Sequence, residues 1–490
     1  MQTQEQTNKL VSITKRFLAE YDNFKFHYDE IEKGYLYLAG EQFDKEQLKW
    51  FEQVRRPARV FNLIFPLFNS ILGDFLLNDD KIRVYPLPGG DPTIASTFED
   101  LLDHSNLQND SRSVLAKYAL AGCVKMGFTF PRFSNEKELD GSLVFGGVDE
   151  FEILFDSAAT DELLDDAEYL ARSRWLSKKQ ILHNYSHLKK ELEPLLIDRE
   201  DENFYERDEV ESSNAVLYDN FNICNLREGK YRLIEWHEKR IEDAEVVVMP
   251  DGTSSIWTLS GRKADLFNKI NPGAKVIKRK DEIKVVTTII PGLNYLITEK
   301  RADIQDRTFD IVPFSAYNYG RRTFKNYGIF KNSLGPQDDY NSWQNQQNAL
   351  MNKAINPGNT YKPEGMENPK AIELEGNAPG VNYQVKMAYD INSVIKQNDV
   401  PQLPFAPAQL AAERGDLLSK IIGITPNMYG ASDTKQENAS LFAQRVKRGQ
   451  VALQVMYNNF SRSKRRLYSK QIRIMQENYT STKYFLITSV

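Results

Sequence analysis

Cysteine is nearly missing from these 490 residues, with only Cys123 and Cys224 present. That scarcity excludes a disulfide framework and a cysteine-rich zinc site, and it fits a reducing compartment. Long apolar runs are missing too. The nearest approach, Val60 to Gly73, is interrupted by Asn62, Pro66 and Asn69 and falls short of the roughly 18 residues a spanning helix needs. The opening MQTQEQTNKLVSITKRF has no apolar core of the signal-peptide kind, so the expectation is a chain made and kept in the cytoplasm, without a membrane span. An excess of positive charge is lacking as well: the formal net charge is −5 and the pI near 5.8, which argues against a general polyanion binder. Finally, no P-loop GxxxxGKS/T, no GxGxxG, no HExxH and no GxSxG occurs, so the commonest nucleotide-binding and hydrolytic fingerprints are absent and no cofactor is expected.

What remains for chemistry is thin. His183 and His187 stand four apart on a predicted helix, a metal-ligand spacing, but no third or fourth ligand lies nearby in sequence. The pairs Asp79/Asp80, Asp165/Asp166 and Asp338/Asp339 could hold Mg²⁺ as in a nuclease. Each pair also sits at a turn or helix start, where aspartate is favoured for capping, and that reading is preferred. The expectation is a non-enzyme.

With 41% hydrophobic residues the chain can bury substantial cores, and its length suits several domains or one large multi-layered protomer. A helical pattern runs from Thr3 to about Val54, with Tyr21, Phe24, Tyr28, Ile31, Tyr35 and Leu38 on a stripe. Phe61 to Leu77 reads as a buried helix, Ile82 to Tyr85 as the opening of a strand, and Asp100 to Gly122 as a helix. Alternating segments follow at Phe128 to Phe133, Leu143 to Phe155, Tyr169 to Trp175, Tyr231 to Val248, Ala274 to Ile290 and Leu293 to Glu299, with a helix capped by Ser177 among them. Glu191 to Asn214 is about half charged and reads as a solvated excursion. The fold class is α+β.

Gly335 to Asn356 is a different kind of segment. Pro336 suits a first helical turn, Asp338 and Asp339 favour the positive end of the macrodipole, and Asn356-Pro357-Gly358 stops the helix. Tyr340, Trp343, Leu350 and Ala354 fall near one face, while Gln344, Asn345, Gln346, Gln347 and Asn348 crowd the rest with uncharged amides. Such a helix either presents an amide-rich surface or stands beside copies of itself around a channel. Between Pro357 and Pro407 come seven prolines and four glycines, a small irregular module with strand candidates at Ala371 to Leu374 and Tyr383 to Val385. A helix with Leu410, Leu417 and Ile421 on one face resumes at Pro407 and stops at Gly423. After the polar loop Thr425 to Ser440, the stretch Leu441 to Gln476 carries nine Lys or Arg and no acid in 36 residues. Arg462, Arg466, Lys470 and Arg473 share one face of it; this stripe could meet phosphates or pair with acidic neighbours.

Dispersed blocks, in order, resemble the portal proteins of tailed bacteriophages, the type found in short-tailed phages. PARVFNLIFPLFNSILGDFLLNDDKIRVYPL is similar to the first block, FDSAATDELLDDAEYLARSRWLSKKQI to the wing segment, IVPFSAYNYGRRTFKNYGIFKNSLGPQDDYNSWQNQQNALMNK to the approach to the stem, and GITPNMYGASDTKQENASLFAQRVKRG to the tunnel-loop region. The resemblance implies a portal fold with an α/β wing over residues 1–335, a first stem helix over 336–356, a β-containing clip over 357–406 and a second stem helix over 407–423. A tunnel loop over 424–437 and a tunnel helix with short crown over 438–490 complete it.

It also implies a homo-oligomeric ring, a dodecamer, at one vertex of the virion capsid, assembled in the host cytoplasm beside the major capsid protein. Through it double-stranded DNA passes, without sequence preference, during packaging by terminase and during ejection, with a tail adaptor docked on the clip. The residues implied are Asn427, Tyr429, Ser432, Thr434, Lys435 and Gln436 in the tunnel loop and Gln344, Gln347, Asn348 and Lys353 in the stem. Arg445, Lys447, Arg448, Arg462, Arg466, Lys470 and Arg473 belong to the basic helix, and Tyr361, Lys362, Glu364 and Tyr383 to the clip. A metal-dependent DNA-processing enzyme, or a capsid or tail scaffold without a channel, are the alternatives.

Overall fold

The structure, a computed structural model, describes residues 4–54, 56–77, 82–86, 90–134, 141–196, 224–225, 230–248, 254–256, 269, 273–293, 295–301, 308–355, 357–370, 384–398, 406–424 and 451–479. The tunnel loop, the start of the basic helix with Arg445, Lys447 and Arg448, and Tyr383 lie outside the described residues. So do Asp79, Asp80, the strand candidate Ala371 to Leu374 and most of the acidic excursion.

The helices are α1 (Gln4–Ala39), α2 (Lys45–Gln53), α3 (Ile64–Leu77), α4 (Pro92–Gln108), α5 (Ser111–Val124), α6 (Lys178–Asn184), α7 (Lys189–Leu192), α8 (Leu334–Ile355), α9 (Ala406–Ile422) and α10 (Gln454–Asn478). The strands are β1 (Gly127–Ser134), β2 (Ser142–Val148), β3 (Ile153–Phe155), β4 (Tyr169–Ser177), β5 (Cys224–Asn225), β6 (Lys230–Val248), β7 (Ser254–Ile256), β8 (Lys275–Ile290), β9 (Tyr295–Arg301), β10 (Val312–Phe314), β11 (Asn359–Tyr361) and β12 (Ile395–Gln397). Two compact units emerge: Met1–Glu32 with Leu72–Ile329 and Gln454–Val490, and Lys33–Ile71 with Phe330–Leu453. The mixture of helix and antiparallel sheet is the α+β class that the sequence pattern predicts.

The first unit is built on a seven-stranded antiparallel sheet ordered β3-β4-β6-β8-β9, with β5 and β7 also paired to β6. The long partners β6 and β8 run in continuous register from Ile234 opposite Ile289 to Val248 opposite Lys275. Trp236 is fully buried and stacks on Tyr169 at 4.7 Å. Arg16 lies over the Tyr169 ring at 4.7 Å, a cation–π contact that covers the edge of this core. Along α1, Leu10, Ile13, Phe17, Phe24 and Ile31 are buried, at the three-to-four spacing of a helix facing one core. Each such side chain contributes about 2 kcal/mol of transfer free energy. A second sheet, ordered β10-β1-β2, lies against α5 and α10. There Gly328 is obligatory, because a Cβ at that position would stand 1.8 Å from the Cys123 carbonyl oxygen.

The second unit contains α8 and α9, the aromatic contacts of Phe330 with Tyr37 and Phe68, and the two-stranded β11–β12 sheet over Met366 and Val394.

Several boundaries differ from the sequence pattern for local reasons. The helical run from Thr3 to Val54 breaks at Gly40, whose φ is +89°, and restarts under a capping box of Asp44 and Gln47. Asp110 in the left-handed region, at φ 48°, separates α4 from α5 within the run read as one helix. Among the described residues Ile82 to Tyr85 has no strand partner and is not a strand. Leu192 and Leu196, at the start of the segment read as solvated, are buried in a cluster with Ile181 and Leu233. On α9 the buried residues are Ala411, Leu418 and Ile422 while Ile421 is exposed, so the inward face is rotated by one residue from the one read off Leu417 and Ile421.

Candidate functional site

Helix α8 carries the segment most suggestive of a channel wall, and its amides prove to have specific partners. Gln337, Asn341 and Asn345 are buried and face an extended segment from Arg59 to Leu63. Gln337 Oε1 accepts from the Leu63 N–H at 3.2 Å and its Nε2 donates to the Phe61 carbonyl at 2.8 Å. Asn341 Oδ1 accepts from the Phe61 N–H at 2.9 Å, and Asn345 accepts from the Arg59 N–H at 3.1 Å while donating to the Arg59 carbonyl at 2.8 Å. The match is metric. Four helical residues rise about 6.0 Å and two extended residues about 6.6 Å, so amides four apart meet backbone groups two apart. The helix thereby supplies the hydrogen bonds that a neighbouring strand would.

Asn62, pointing the other way, donates to the Tyr37 and Leu38 carbonyls at 3.1 and 3.0 Å and accepts from the Phe65 N–H at 3.2 Å. One side chain thus closes the end of α1 and the start of α3. Asn341 Nδ2 completes the network by donating to Gln42 Oε1.

Of the amides Gln344 to Asn348 noted from the sequence, Asn345 thus faces its own protomer. Three amides are the most buried residues of the helix, and Tyr340, Trp343 and Leu350 are half-buried. Among the stem residues singled out from sequence, Gln344, Gln347 and Asn348 are half-buried and Lys353 is exposed. Gln344 donates to the Tyr340 hydroxyl at 3.3 Å. Asp338 accepts from the Tyr37 hydroxyl at 2.6 Å. Burial raises its pKa, against the lowering by that hydrogen bond and by Lys33. Asp339 stands 3.5 Å from Arg414 on α9. This aspartate pair is engaged with its own protomer.

In the β11–β12 module, Lys362 and Glu364 are exposed and Tyr361 packs beside Met366 and Val394. The Lys362 N–H donates to the Val394 carbonyl at 2.9 Å, and Lys386 Nζ donates to the Glu364 carbonyl at 3.0 Å.

The basic stripe of α10 is largely neutralised within its own unit. Arg462 pairs with Glu162, Arg466 with Asp165, and Arg473 with Glu477 at 3.2 Å. Lys470 is buried and donates to Thr308 Oγ1 at 2.8 Å. Its charge joins Lys284, 2.6 Å from Asp310, and His237 in holding the Asp310 carboxyl below its usual range, against the upward push of burial.

The acidic turn that supplies these partners is itself saturated. Asp166 accepts from the Thr160 N–H at 2.7 Å, the Thr160 hydroxyl at 2.6 Å and the Asp161 N–H at 3.0 Å. Burial acts upward on Asp166, and those donors bring its pKa to a net lowering. Asp166 is thus a turn cap and Asp165 an ion-pair partner. His183 ends α6, whereas His187 lies in the next 3-10 turn beyond Tyr185, so the two histidines do not share the continuous helix read from their spacing. Among the described residues no group of three or more metal-ligating side chains converges, and no helix is long and apolar enough to cross a membrane.

The amide network and the partners of Arg462, Arg466 and Lys470 were invisible to pattern reading, because they lie far away in the chain, whereas Arg473 pairs with Glu477 on its own helix. The signal that could have found the network is the period: Gln337, Asn341 and Asn345 repeat at four, as a buried helical face does. Among known proteins, a family model described as phage P22-like portal protein matches residues 14–489. No curated protein matches the chain.

Proposed function

Because the chain belongs to the P22-like phage portal protein family, and is thus a portal component of the virion capsid, we propose that it forms a homo-oligomeric ring. In this reading the ring conducts double-stranded DNA during packaging and ejection and docks terminase and a tail adaptor. The observation that carries it is the family match across residues 14–489, supported by the order of α8, the β11–β12 module and α9 within one unit. That order puts a small sheet between two helices in the chain, the parts a stem and a clip require. Lys362 and Glu364, exposed on that module, are assigned to the adaptor and terminase face together with Tyr383. Asn427 to Gln436 are assigned to the DNA path.

A conduit must hold its cargo loosely, since roughly six to ten phosphate contacts would bind DNA strongly at moderate salt. The net charge of −5 and the internal pairing of Arg462, Arg466 and Arg473 keep that grip weak. A closed ring uses heterologous contacts, one face of each protomer against a different face of the next.

Electron microscopy of the purified chain tests the ring, and terminase-driven packaging tests the conduit. Rings with a central hole are expected, and deletion of Thr434 to Glu437 is expected to abolish packaging while leaving the rings intact. A strictly monomeric chain, or full packaging by the deletion variant, would overturn the reading.

A further inference from the structure

Helix α2 is capped at its start, yet none of its nine residues is buried in the protomer. Trp50 is 51% exposed and Leu48 42%. A helix shorter than about 12 residues holds poorly in water unless it packs a face against something, so α2 has a face still to be covered. Beside it, wholly within the second unit, a pocket of about 550 Å³ is walled by Phe43, Trp50 and Phe51 and rimmed by Glu46, Asp338 and Asp339. The rings form one wall: the Phe51 ring lies 5.2 Å from Phe43 and 5.1 Å from Trp50, edge-on to both. Gln42 fixes its base, donating to the Tyr37 carbonyl at 3.1 Å and accepting from Asn341 of the amide network.

Aromatic faces beside carboxylates suit a guanidinium, which stacks on the first and donates to the second. Among the described residues no cation lines the pocket. Glu46 is exposed and makes no ion pair among them. Asp338 accepts from the Tyr37 hydroxyl, which leaves lone pairs on the carboxylate for a further donor. Asp339, 3.5 Å from Arg414, keeps 54% of its side chain in solvent. Of the arginines described in the second unit, Arg414 is thus engaged, while Arg56 and Arg59 are exposed and make no ion pair among the described residues. Arg59 is the better prepared of the two, because Asn345 holds both its backbone N–H and its carbonyl, so less freedom is lost when its side chain is captured.

We propose that this pocket receives the Arg59 guanidinium of a second copy of this chain, stacked on Trp50 and paired with Glu46 and Asp338. The inference rests on the ring reading and names a contact within it. Arg59 makes no ion pair in its own protomer, so its complementarity to the pocket is free to act between copies. A cationic patch on one copy and an aromatic, acidic patch on the next form a heterologous pair, the kind that repeats around a closed ring. Tryptophan and arginine are also the side chains that most often dominate binding at the centre of an interface.

The test is assembly of the purified full chain, read by light scattering and electron microscopy as the protein concentration at which half of it sits in rings. Glu46→Arg and Arg59→Glu are each expected to raise that concentration on the order of tenfold, and Trp50→Ala by a similar factor. The double variant Glu46→Arg with Arg59→Glu restores an attractive pair in the reverse sense and should recover to within about threefold of the parent. Lys420→Glu, at an exposed position of α9, changes the net charge as Arg59→Glu does and should stay within about twofold. Unchanged assembly of the single variants, a double variant no better than the singles, or an equal loss in Lys420→Glu overturns the contact. Normal rings with lost packaging in Glu46→Arg also overturn it, by giving the pocket to another protein. Arg59→Glu leaves the backbone bonds to Asn345 in place, and unchanged melting temperatures certify folding. A parent chain that forms no rings overturns the ring reading itself, whereas rings formed equally by the parent and every variant overturn the contact alone.

Discussion

Helices α8 and α10 both carry polar faces that look from sequence like surfaces for a channel, and both turn those faces to their own unit, by different chemistry. On α8 the partners are neutral amides and backbone groups, at distances of 2.8 to 3.2 Å to the Arg59–Leu63 segment. On α10 they are ion pairs, with Arg466 and Asp165 leaving 26% and 41% of their side chains in solvent. A buried amide that loses its partner strands a polar group away from water. An exposed ion pair that loses one member merely rehydrates. The first arrangement therefore fixes structure, while the second tunes charge at little energetic cost.

The largest effect is expected where the amide network is cut. Asn341→Leu removes the acceptor of the Phe61 N–H and the donor to Gln42, and stranding these groups costs about 2 to 4 kcal/mol in urea denaturation of the full chain. Gln347→Ala, at a half-buried position of the same helix, is expected to cost less than about 0.5 kcal/mol. Equal losses at the two positions would show that α8 is not held by its buried amides and would erase the contrast with α10.

The fold class was legible in the sequence because periodicity records burial directly. The two-residue alternation of Tyr231 to Val248 and Ala274 to Ile290 returned as β6 and β8, and Ser177 capped α6 as its sequence context predicts. The segment Ile82 to Tyr85 alternates equally well yet finds no strand partner among the described residues, because pairing is a tertiary event and alternation reports only a two-faced chain. Asn341 and Arg466 illustrate the other limit. Their side chains have polar atoms at the tip and could be satisfied by water, DNA or protein alike, and their partners lie 280 and 301 residues away. Composition showed that α8 and α10 were unusual, but only the fold shows what each faces.

A middle-sized effect separates the two regions by pH. The amide network holds no titratable group, whereas the first unit buries His27, whose Nδ1 lies 3.3 Å from the Phe324 carbonyl. A carbonyl only accepts, so this nitrogen carries the proton in the neutral ring. Burial, and then the charge of Lys125, lower the His27 pKa from 6.5 to about 3 against the raising effect of that hydrogen bond. The folded state thus refuses a proton that the unfolded chain accepts below 6.5, so stability is full above that pH and falls as pH drops toward 3. Between pH 7 and pH 5 the loss from this one group is about 2 kcal/mol. Denaturation of His27→Gln at both pH values should show a pH-dependent loss smaller by that amount, and an unchanged loss would remove His27 as the cause.

The smallest effect belongs to the ion pairs, and its smallness is the point. Arg466 and Asp165 are both partly in solvent, so their attraction is screened and offset by ordering two side chains. A double-mutant cycle of Arg466→Gln and Asp165→Asn is expected to give a coupling of about 0.2 to 1 kcal/mol in 0.1 M salt that fades in 1 M. The cost of Asn341→Leu should be nearly the same at both salt concentrations, since no net charge is involved. A coupling of 2 kcal/mol or more, indifferent to salt, would mean that the stripe is structural like the amides. The charge balance of α10 could not then be changed without unfolding it. A small, salt-sensitive coupling leaves the helix free to vary its charges while α8 keeps its amides, which is the division the proposed conduit requires.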